Sequence, residues 1–552
     1  MPANPPAPHY FLHAILSPVI RCFKTHWVLL TITVAGALLR FTNLNWDLGG
    51  RLHPDEALIV NGAMAVRFFS HLSPGFHDYN GLSVYLLKLV SLGVSLLPNA
   101  SRWATTPEGM TVVGRYMSAL LSAVSVPLLY IIGKQLWKKE TGLIAAFLFA
   151  VTPMSAQLAR FYTTESILIF LLLILLTATI RYIKKPDVFA LSWMGITSGL
   201  LLATKNTSYM FLPIPGIAIL LTTKRTASVI RAAALWSIAC VASFFVASPY
   251  SFIDWPGYID RSQYLAAVVS GRLLMDWTMQ FQDTNGFWWV KNLLYAFGPL
   301  AAFGTIGILG FLLHRKSRTM LPVIAALWSV GFIVFLACTY LKFTRYASPL
   351  MPFFALFAAK LLWDIQKIRA GRIILIAATL SQLLYGSMFF PVYASSHTSL
   401  RAADWIGKNV PSGSVLLTEE WNGIVRFSRP ELKNRGYRIV TVNMYTLPDG
   451  QTKTDNLYKA LAQSDYILLE SPKVKNTILR QQDRYPNASA FYKSLTSGAL
   501  GFTKVAEFSS YPRLGAFTIP DDDAEETLTV FDHPTITLYK RQHVCSPVLG
   551  CN

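Results

Sequence analysis

GRYMSALLSAVSVPLLYIIGKQLWKKETGLIAAFLFAVTPMSAQLARFYTTESILIF, residues 114–170, alternates long apolar runs with short charged turns. Apolar runs of roughly 17–22 residues are long enough to cross about 30 Å of hydrocarbon as helix. Three such runs, near 112–133, 141–158 and 164–181, follow one another here. The turn between the first two carries Lys134, Lys138 and Lys139; the turn between the last two carries Arg160 and Glu165. Such spacing predicts a membrane-embedded helical hairpin with a further helix behind it. Working outward, similar runs appear at 27–43, 189–204, 208–222, 232–248, 292–313, 320–338, 346–363 and 372–390, so the sequence predicts about eleven spans. Composition agrees: 53% of the 552 residues are hydrophobic and 14% are charged, with a mean hydropathy of +0.40, too apolar for a soluble protein.

After Phe390 no run long enough to span remains. The chain divides into a polytopic α-helical membrane domain, 1–390, and a soluble tail, 391–552. The tail holds 18 basic and 16 acidic residues, whereas the membrane part holds the other 31 basic and 13 acidic ones. Short loops rich in Lys and Arg mark the cytoplasmic side: Lys134/Lys138/Lys139, Arg181/Lys184/Lys185, Lys224/Arg225/Arg231, Arg315/Lys316/Arg318 and Lys367/Arg369/Arg372. An odd number of spans then gives a cytoplasmic N-terminus and an extracytoplasmic tail in the cell membrane. The first 26 residues show no cleavable signal peptide. The basic excess lies in membrane loops, which excludes a nucleic-acid partner.

The first outer loop, 43–111, is long. It contains two stretches with helical apolar spacing, 54–71 and 81–97, read as helices at the outer interface. The first begins RLHPDEALIVNGA, with Pro54 suited to a first helical turn and Asp55 and Glu56 at a helix N-terminus, where the dipole favours anions. Four further charged sites fall at the same membrane face: Arg115, the Arg160/Glu165 turn, Lys205 at the end of the fifth span, and Lys342 with Arg345 before the tenth. Taken singly these are snorkelling residues. Together, basic groups with carboxylates at one depth suit an anionic headgroup and proton chemistry. The acidic pair Asp55 and Glu56 is also the one place where a divalent metal ion would sit, although no His cluster accompanies it.

The tail reads as α/β. SVLLTEEW, YRIVTV, DYILLE and TLTVFDHPTITLYKR look like strands, the last as a hairpin turning at Asp532-His533-Pro534; SLRAADWIGKNVP and DNLYKALAQS look like amphipathic helices. Trp405, Glu419, Glu420 and Trp421 line a sugar-binding cleft or simply pack. Cys22, Cys240 and Cys338 pack as small hydrophobes, while Cys545 and Cys551 form either a small disulfide loop or two free thiols.

HPDEALIVNGA at 53–63, HDYNGLSVYLLK at 77–88, the 114–170 stretch and TRYASPLMP at 344–352 resemble, in order and spacing, the GT-C membrane glycosyltransferases. The resemblance is to the protein O-mannosyltransferase-like branch (glycosyltransferase family 39) and the related aminoarabinose transferases. It implies a GT-C-like catalytic domain that moves one sugar, with inversion, from a polyprenyl-phosphate donor to an acceptor hydroxyl outside the membrane. The acceptor would be a glycan, lipid or protein. It further implies Asp55, Glu56 and Glu165 as catalytic carboxylates, Lys205, Lys342 and Arg345 on the donor phosphate, and Arg115, Arg160 and Tyr346 in support. Two departures stand out: Asn80-Gly81-Leu82-Ser83 replaces the paired prolines frequent in the family, and Glu165 replaces a common Asp. Two other classes fit a basic membrane groove: a transporter or flippase for lipid-linked sugars, and a non-catalytic relative that only binds them. Transporters usually show repeated halves with helices broken at the midplane. No such repeat is present in this sequence, and its charges gather at one face.

Overall fold

The computed structural model describes residues 26–223, 225–314, 319–420 and 423–542. Lys224, the Arg315/Lys316/Arg318 loop, Trp421, Cys22, Cys545 and Cys551 lie outside the described residues.

Each predicted span coincides with helix, but not always with one straight crossing. Among the described residues, five helical stretches are long and apolar enough to cross a membrane, beginning at Pro107, Thr164, Thr226, Met320 and Arg369; a bent pair, Trp288–Phe297 with Pro299–Leu313, makes a sixth. Helices His26–Phe41, Val188–Thr204 and Asn206–Thr222 are apolar but shorter. The chain is a multi-pass membrane protein.

The breaks have local causes. The expected span at 292–313 turns by 116° between Phe297 and Pro299. Gly298 takes φ +65° there, a left-handed conformation that glycine alone adopts without strain. The amide of Gln382, on the helix Arg369–Ser387, serves both ends of the break: its oxygen accepts from Leu300 N (2.8 Å) and its nitrogen donates to Phe297 O (3.0 Å). The expected span at 141–158 likewise divides into Lys139–Ala150 and Pro153–Leu158, because Pro153 has no N–H with which to continue the helix. The carbonyls orphaned at that end are taken by the fully buried Arg40, whose guanidinium donates to Ala150 O (2.8 Å) and to the hydroxyls of Ser122 (2.8 Å) and Ser155 (2.6 Å). A cation at a helix C-terminus is also favoured by the dipole.

The interior of the bundle is built on Pro107–Leu136, Thr164–Lys184 and Leu350–Ile365, whose side chains dominate the largest buried cluster. Thr226–Ala247 lies at the periphery against Val188–Thr204, with only Ala232 and Cys240 buried along it. Small residues permit that approach: a Cβ at Gly199 would fall on the Cys240 carbonyl and the Ser243 hydroxyl. Cys240 is buried as expected, whereas Cys338 is exposed, at the end of Met320–Cys338.

In the long loop after the first helix, helix Pro54–Ala65 ends six residues short of the expected 71, where the chain folds back through an Arg67–His71 bridge. Helix Leu82–Ser95 falls within the expected second stretch.

The tail is α/β. Among its described residues are seven strands: β1 Val415–Glu419, β2 Arg438–Val442, β3 Tyr466–Leu469, β4 Phe502–Phe508, β5 Arg513–Leu514, β6 Phe517–Thr518 and β7 Ile536–Arg541. The main sheet has the order β2-β1-β3-β7-β4, with β1 parallel to β2 and β3, and β7 antiparallel to β3 and β4. β5 and β6 form a separate two-stranded ribbon. The expected hairpin at Asp532-His533-Pro534 is absent. Glu526–Thr529 is a helical turn instead, and Asp532 and His533 are buried, because both bond to charged partners described below. Glu419 is also buried, on β1, and bonds to the Tyr492 hydroxyl, while Trp405 packs on Phe508; these are core contacts, not a cleft.

Gly199→Leu should force the helices Val188–Thr204 and Thr226–Ala247 apart. Overpacking of this kind costs about 1–3 kcal/mol, so its melting temperature in detergent should fall relative to that of Gly310→Leu, where a Cβ meets open space.

Candidate active site

Helix Pro54–Ala65 begins with Pro at its first position and Asp55 and Glu56 in its first turn. Adjacent residues on a helix point about 100° apart, and the two carboxylates go to different partners. Glu56 is fully buried and takes two bonds from Arg115, at 2.9 and 2.6 Å, plus the Tyr162 N–H at 2.9 Å. The other edge of the Arg115 guanidinium is held by Asp47, at 2.8 and 2.9 Å, and its face lies over Trp46, 4.6 Å from the ring centroid. Arg115 thus has a carboxylate partner, as its depth required, but the pair is Glu56 with Asp47 and not Glu165. Asp47 was not singled out in the sequence; the signal was an acid beside a Trp within a few residues of the first span.

Asp55 turns the other way and forms an ion pair with Arg345. Nearby, Lys205 Nζ lies 3.1 Å from Glu165 Oε1. Tyr346 ties the two pairs together: the Lys205 ammonium sits 4.8 Å, and the Arg345 guanidinium 5.8 Å, from its ring centroid. Tyr79 lies 5.9 Å from Lys205 by the same measure and hydrogen-bonds Asp55. Residues from five separate segments therefore meet in one cluster of two carboxylates, two cations and two phenols. Its four charged side chains are 4–18% exposed, Glu165 least and Asp55 most. Glu165 Oε2 and Arg345 Nε are buried without a hydrogen-bond partner, a rare state.

Burial alone would push the Asp55 carboxyl up, but the Arg345 guanidinium beside it, with the Tyr79 hydroxyl, holds it down at about 2. His53 is pushed down to about 4 by burial, its ring tilted against those of Phe161 (4.9 Å) and Phe531 (4.6 Å). It is therefore a neutral ring in the wall of the site.

The remaining expected residues lie elsewhere. Lys342 is directed away: its ammonium donates to the backbone carbonyl of Thr339 at 2.8 Å, and the expectation that it meets the donor phosphate is corrected accordingly. Arg160 donates to Thr42 O, lies 4.0 Å from Asp532 and covers Tyr393, so it joins the membrane domain to the tail. The acidic pair Asp55/Glu56 diverges, and among the described residues no three His, Cys, Asp or Glu side chains converge for a metal ion. The Asn80-Gly81 step is pinned by Asn80 Nδ2 to Leu202 O (2.5 Å) and Gly81 N to Ser248 Oγ (2.7 Å). Beside it, His77 pairs with Asp254 (2.8 Å) and Asp78 with Arg261.

The tail reaches the site through residues 521–533. Glu525 accepts from the Thr344 N–H at 2.8 Å, immediately before Arg345, and its own N–H donates to Asn292 at 2.7 Å. Gln280 bonds Glu526 at 2.9 Å, and Gln157 bonds Leu528 O at 2.5 Å. Phe531 closes over His53, and buried His533 sits between Asp521 (2.8 Å) and Asp532 (3.1 Å).

Residues 109–253 match a family model described as dolichyl-phosphate-mannose-protein mannosyltransferase. Among solved structures, the oligosaccharyltransferase of Archaeoglobus fulgidus tethered with an acceptor peptide superposes with a TM-score of 0.51 at 14% identity, covering 94% of this chain and 89% of that one. The same archaeal enzyme with an inhibitory peptide and a dolichol-phosphate gives 0.50 at 14% identity, covering 94% and 89%. The chain has the GT-C fold. ArnT from Cupriavidus metallidurans bound to undecaprenyl phosphate scores 0.49 at 13% identity, covering 93% and 98%. No curated protein sequence matches.

Two outcomes are expected. Arg115→Ala leaves two buried carboxylates facing each other, and breaking a buried pair costs about 3–5 kcal/mol; a double-mutant cycle on melting temperature should show strong coupling of Arg115 to Asp47 and Glu56 and none to Glu165. The second concerns pH. Burial alone would lower His533, but Asp521 and Asp532 raise it to about 10. The folded state therefore keeps a proton that the unfolded imidazole loses near 6.5. That stabilisation is complete below about 6.5 and lost as pH rises to about 10. Unfolding free energy should decline across that window, and His533→Gln should remove this part of the slope.

Proposed function

We propose that the chain transfers a single sugar from a polyprenyl-phosphate donor to an acceptor hydroxyl on the outer face of the cell membrane, with inversion. The observation that carries this reading is the paired cluster of Asp55–Arg345 and Glu165–Lys205 in the membrane domain. Two cations beside two carboxylates suit a reaction that needs an anion held and a proton removed at one place. The dolichol-phosphate held by the archaeal neighbour supports a lipid-phosphate donor. The orientation that puts the tail outside rests on the Lys and Arg bias of the short loops.

In the reaction, the acceptor oxygen attacks the anomeric carbon while the bond from that carbon to the phosphate oxygen breaks. The electron pair leaves with the lipid phosphate, and the acceptor proton passes to a carboxylate. Asp55, the more exposed of the two, takes that proton. Arg345 and Lys205 hold the phosphate and stabilise the charge it gains on departure. Glu165 keeps Lys205 in place, and Tyr79 and Tyr346 flank the sugar. While Asp55 is held at about 2 by Arg345 it is a weak base. A phosphate that draws the guanidinium toward itself weakens this pair and raises the basicity of Asp55 when the donor has arrived.

Purified protein in nanodiscs, given a panel of polyprenyl-phosphate sugars, should consume one class of donor. Asp55→Asn should retain the fold and donor binding while turnover falls at least about 10²-fold, the range of general-base catalysis. Consumption of no donor, or wild-type turnover by Asp55→Asn, would defeat this assignment. Neutralising Lys205 or Arg345 removes a charge-assisted bond worth roughly 1.5–3 kcal/mol and should weaken donor binding about tenfold or more. Because the Asp55 carboxyl is held near 2, kcat/KM should show no acid limb from this group between pH 7 and 4. Arg345→Gln should move such a limb upward, into that range.

A further inference from the structure

The ribbon formed by β5 and β6 carries the sequence Arg513-Leu514-Gly515-Ala516-Phe517-Thr518, and every one of these residues is exposed. Two strands with only two residue pairs have no core of their own, and such hairpins are marginal in water. Yet this one presents Leu514, 46% exposed, and Phe517, 66% exposed, side by side as a register pair.

Its root is fixed to the membrane domain. Arg513 N donates to Met388 O at 2.8 Å, directly beyond the end of helix Arg369–Ser387. That helix has 19 residues, which at about 1.5 Å per residue makes roughly 28 Å, close to the hydrocarbon thickness of about 30 Å. Ile373, Ile376, Leu380, Leu383 and Leu384 are exposed along it, and Phe390 just past it. These are the lipid-facing residues of a peripheral helix, and they place Met388 at the boundary between hydrocarbon and headgroups. Arg401, which donates to Ser509 O at 2.6 Å, stands near enough to Arg513 for the two positive charges to repel. Two guanidiniums this close at the root of the ribbon suit lipid phosphates, to which arginine binds through a bidentate fork.

We propose that the 513–518 ribbon is a membrane anchor of the tail: Leu514 and Phe517 enter the outer part of the bilayer, and Arg513 and Arg401 bind lipid phosphates. The lipid surface is the occupant because the root is a spanning-helix end, the tip is apolar and the flanking charge is basic. The ribbon therefore ties to the bilayer the same domain that bonds Thr344 through Glu525.

The test uses the full chain in nanodiscs of phosphatidylethanolamine and phosphatidylglycerol, with the five native cysteines replaced. A nitroxide is placed in turn at Leu514→Cys, Phe517→Cys and, as a reference, Lys408→Cys on an exposed helix of the tail. Electron paramagnetic resonance then compares collisions with dissolved oxygen and with a water-soluble nickel chelate. Oxygen should dominate at 514 and 517 and the chelate at 408. Chelate dominance at 514 and 517 would place the ribbon in water and overturn the proposal. Low access to both reagents would mean that protein covers it, which also overturns it. The labelled positions are exposed, so folding is expected; Arg513→Cys, carrying the same label at the ribbon's root, should report a depth between those of 517 and 408. The same depth at 513 as at 408, with 514 and 517 also in water, would confirm the failure.

Discussion

The clamp of Asp47 and Glu56 on Arg115 is the interaction on which the site depends. A guanidinium without exposure to water, inside a spanning helix, is tolerable only with its charge and hydrogen bonds answered. Here two carboxylates from the stretch after the first helix answer it, one from either side of the turn that precedes helix Pro54–Ala65. That fixes the start of the helix against the bundle in both position and rotation. With Glu56 drawn inward to Arg115, its neighbour Asp55 is directed to the cluster with Arg345. The proposed chemistry of Asp55 is therefore set by a residue that never touches a substrate.

Much of this was legible in the sequence, because burying charge in a membrane domain is costly and the few charged residues that remain are informative. Asp55, Glu165, Lys205 and Arg345 were singled out from their common depth alone, and they meet in the structure. The α/β character of the tail and four of its strands followed from apolar alternation. What sequence reasoning missed has physical reasons. Depth is shared by residues on opposite sides of a helix, so it did not distinguish Lys342, which satisfies backbone carbonyls, from Arg345, three residues later. Glu56 and Asp55 look alike as a pair, and only the direction of each side chain separates clamp from site. The break at Gly298-Pro299 had its signal in the Gly-Pro step; hydropathy averaged over a window passed across it. TLTVFDHP, expected as the first strand of a hairpin, is apolar because it packs into the bundle, with Leu528 in the main buried cluster.

That last segment changes the meaning of the tail. The chain leaves the main sheet after β4, crosses onto the membrane domain through residues 521–533 and returns to become β7, an interior strand. Along the way Glu525 holds the amide before Arg345, Phe531 closes the wall at His53, and Asp532 approaches Arg160. The domain boundary near Phe390 is therefore a boundary in hydropathy only. Folding of the sheet and completion of the site are coupled through one excursion whose two ends are strands β4 and β7 of that sheet.

The cluster's electrical neutrality has a consequence for order of events. Two carboxylates and two cations at close range satisfy one another, so the empty site attracts anions weakly despite its basic residues. A lipid phosphate must compete with Asp55 for Arg345 and with Glu165 for Lys205. Competition of this kind lowers affinity for phosphate itself and leaves tight binding to a ligand that brings additional apolar contact, as a polyprenyl chain does in a membrane. In the proposed reaction the same competition frees a carboxylate only when the phosphate is present, which would restrict activation of the acceptor to the donor-bound state. Arg345 would then be the residue through which donor binding and proton removal are linked, and the Glu525–Thr344 bond ties the residue before it to the tail.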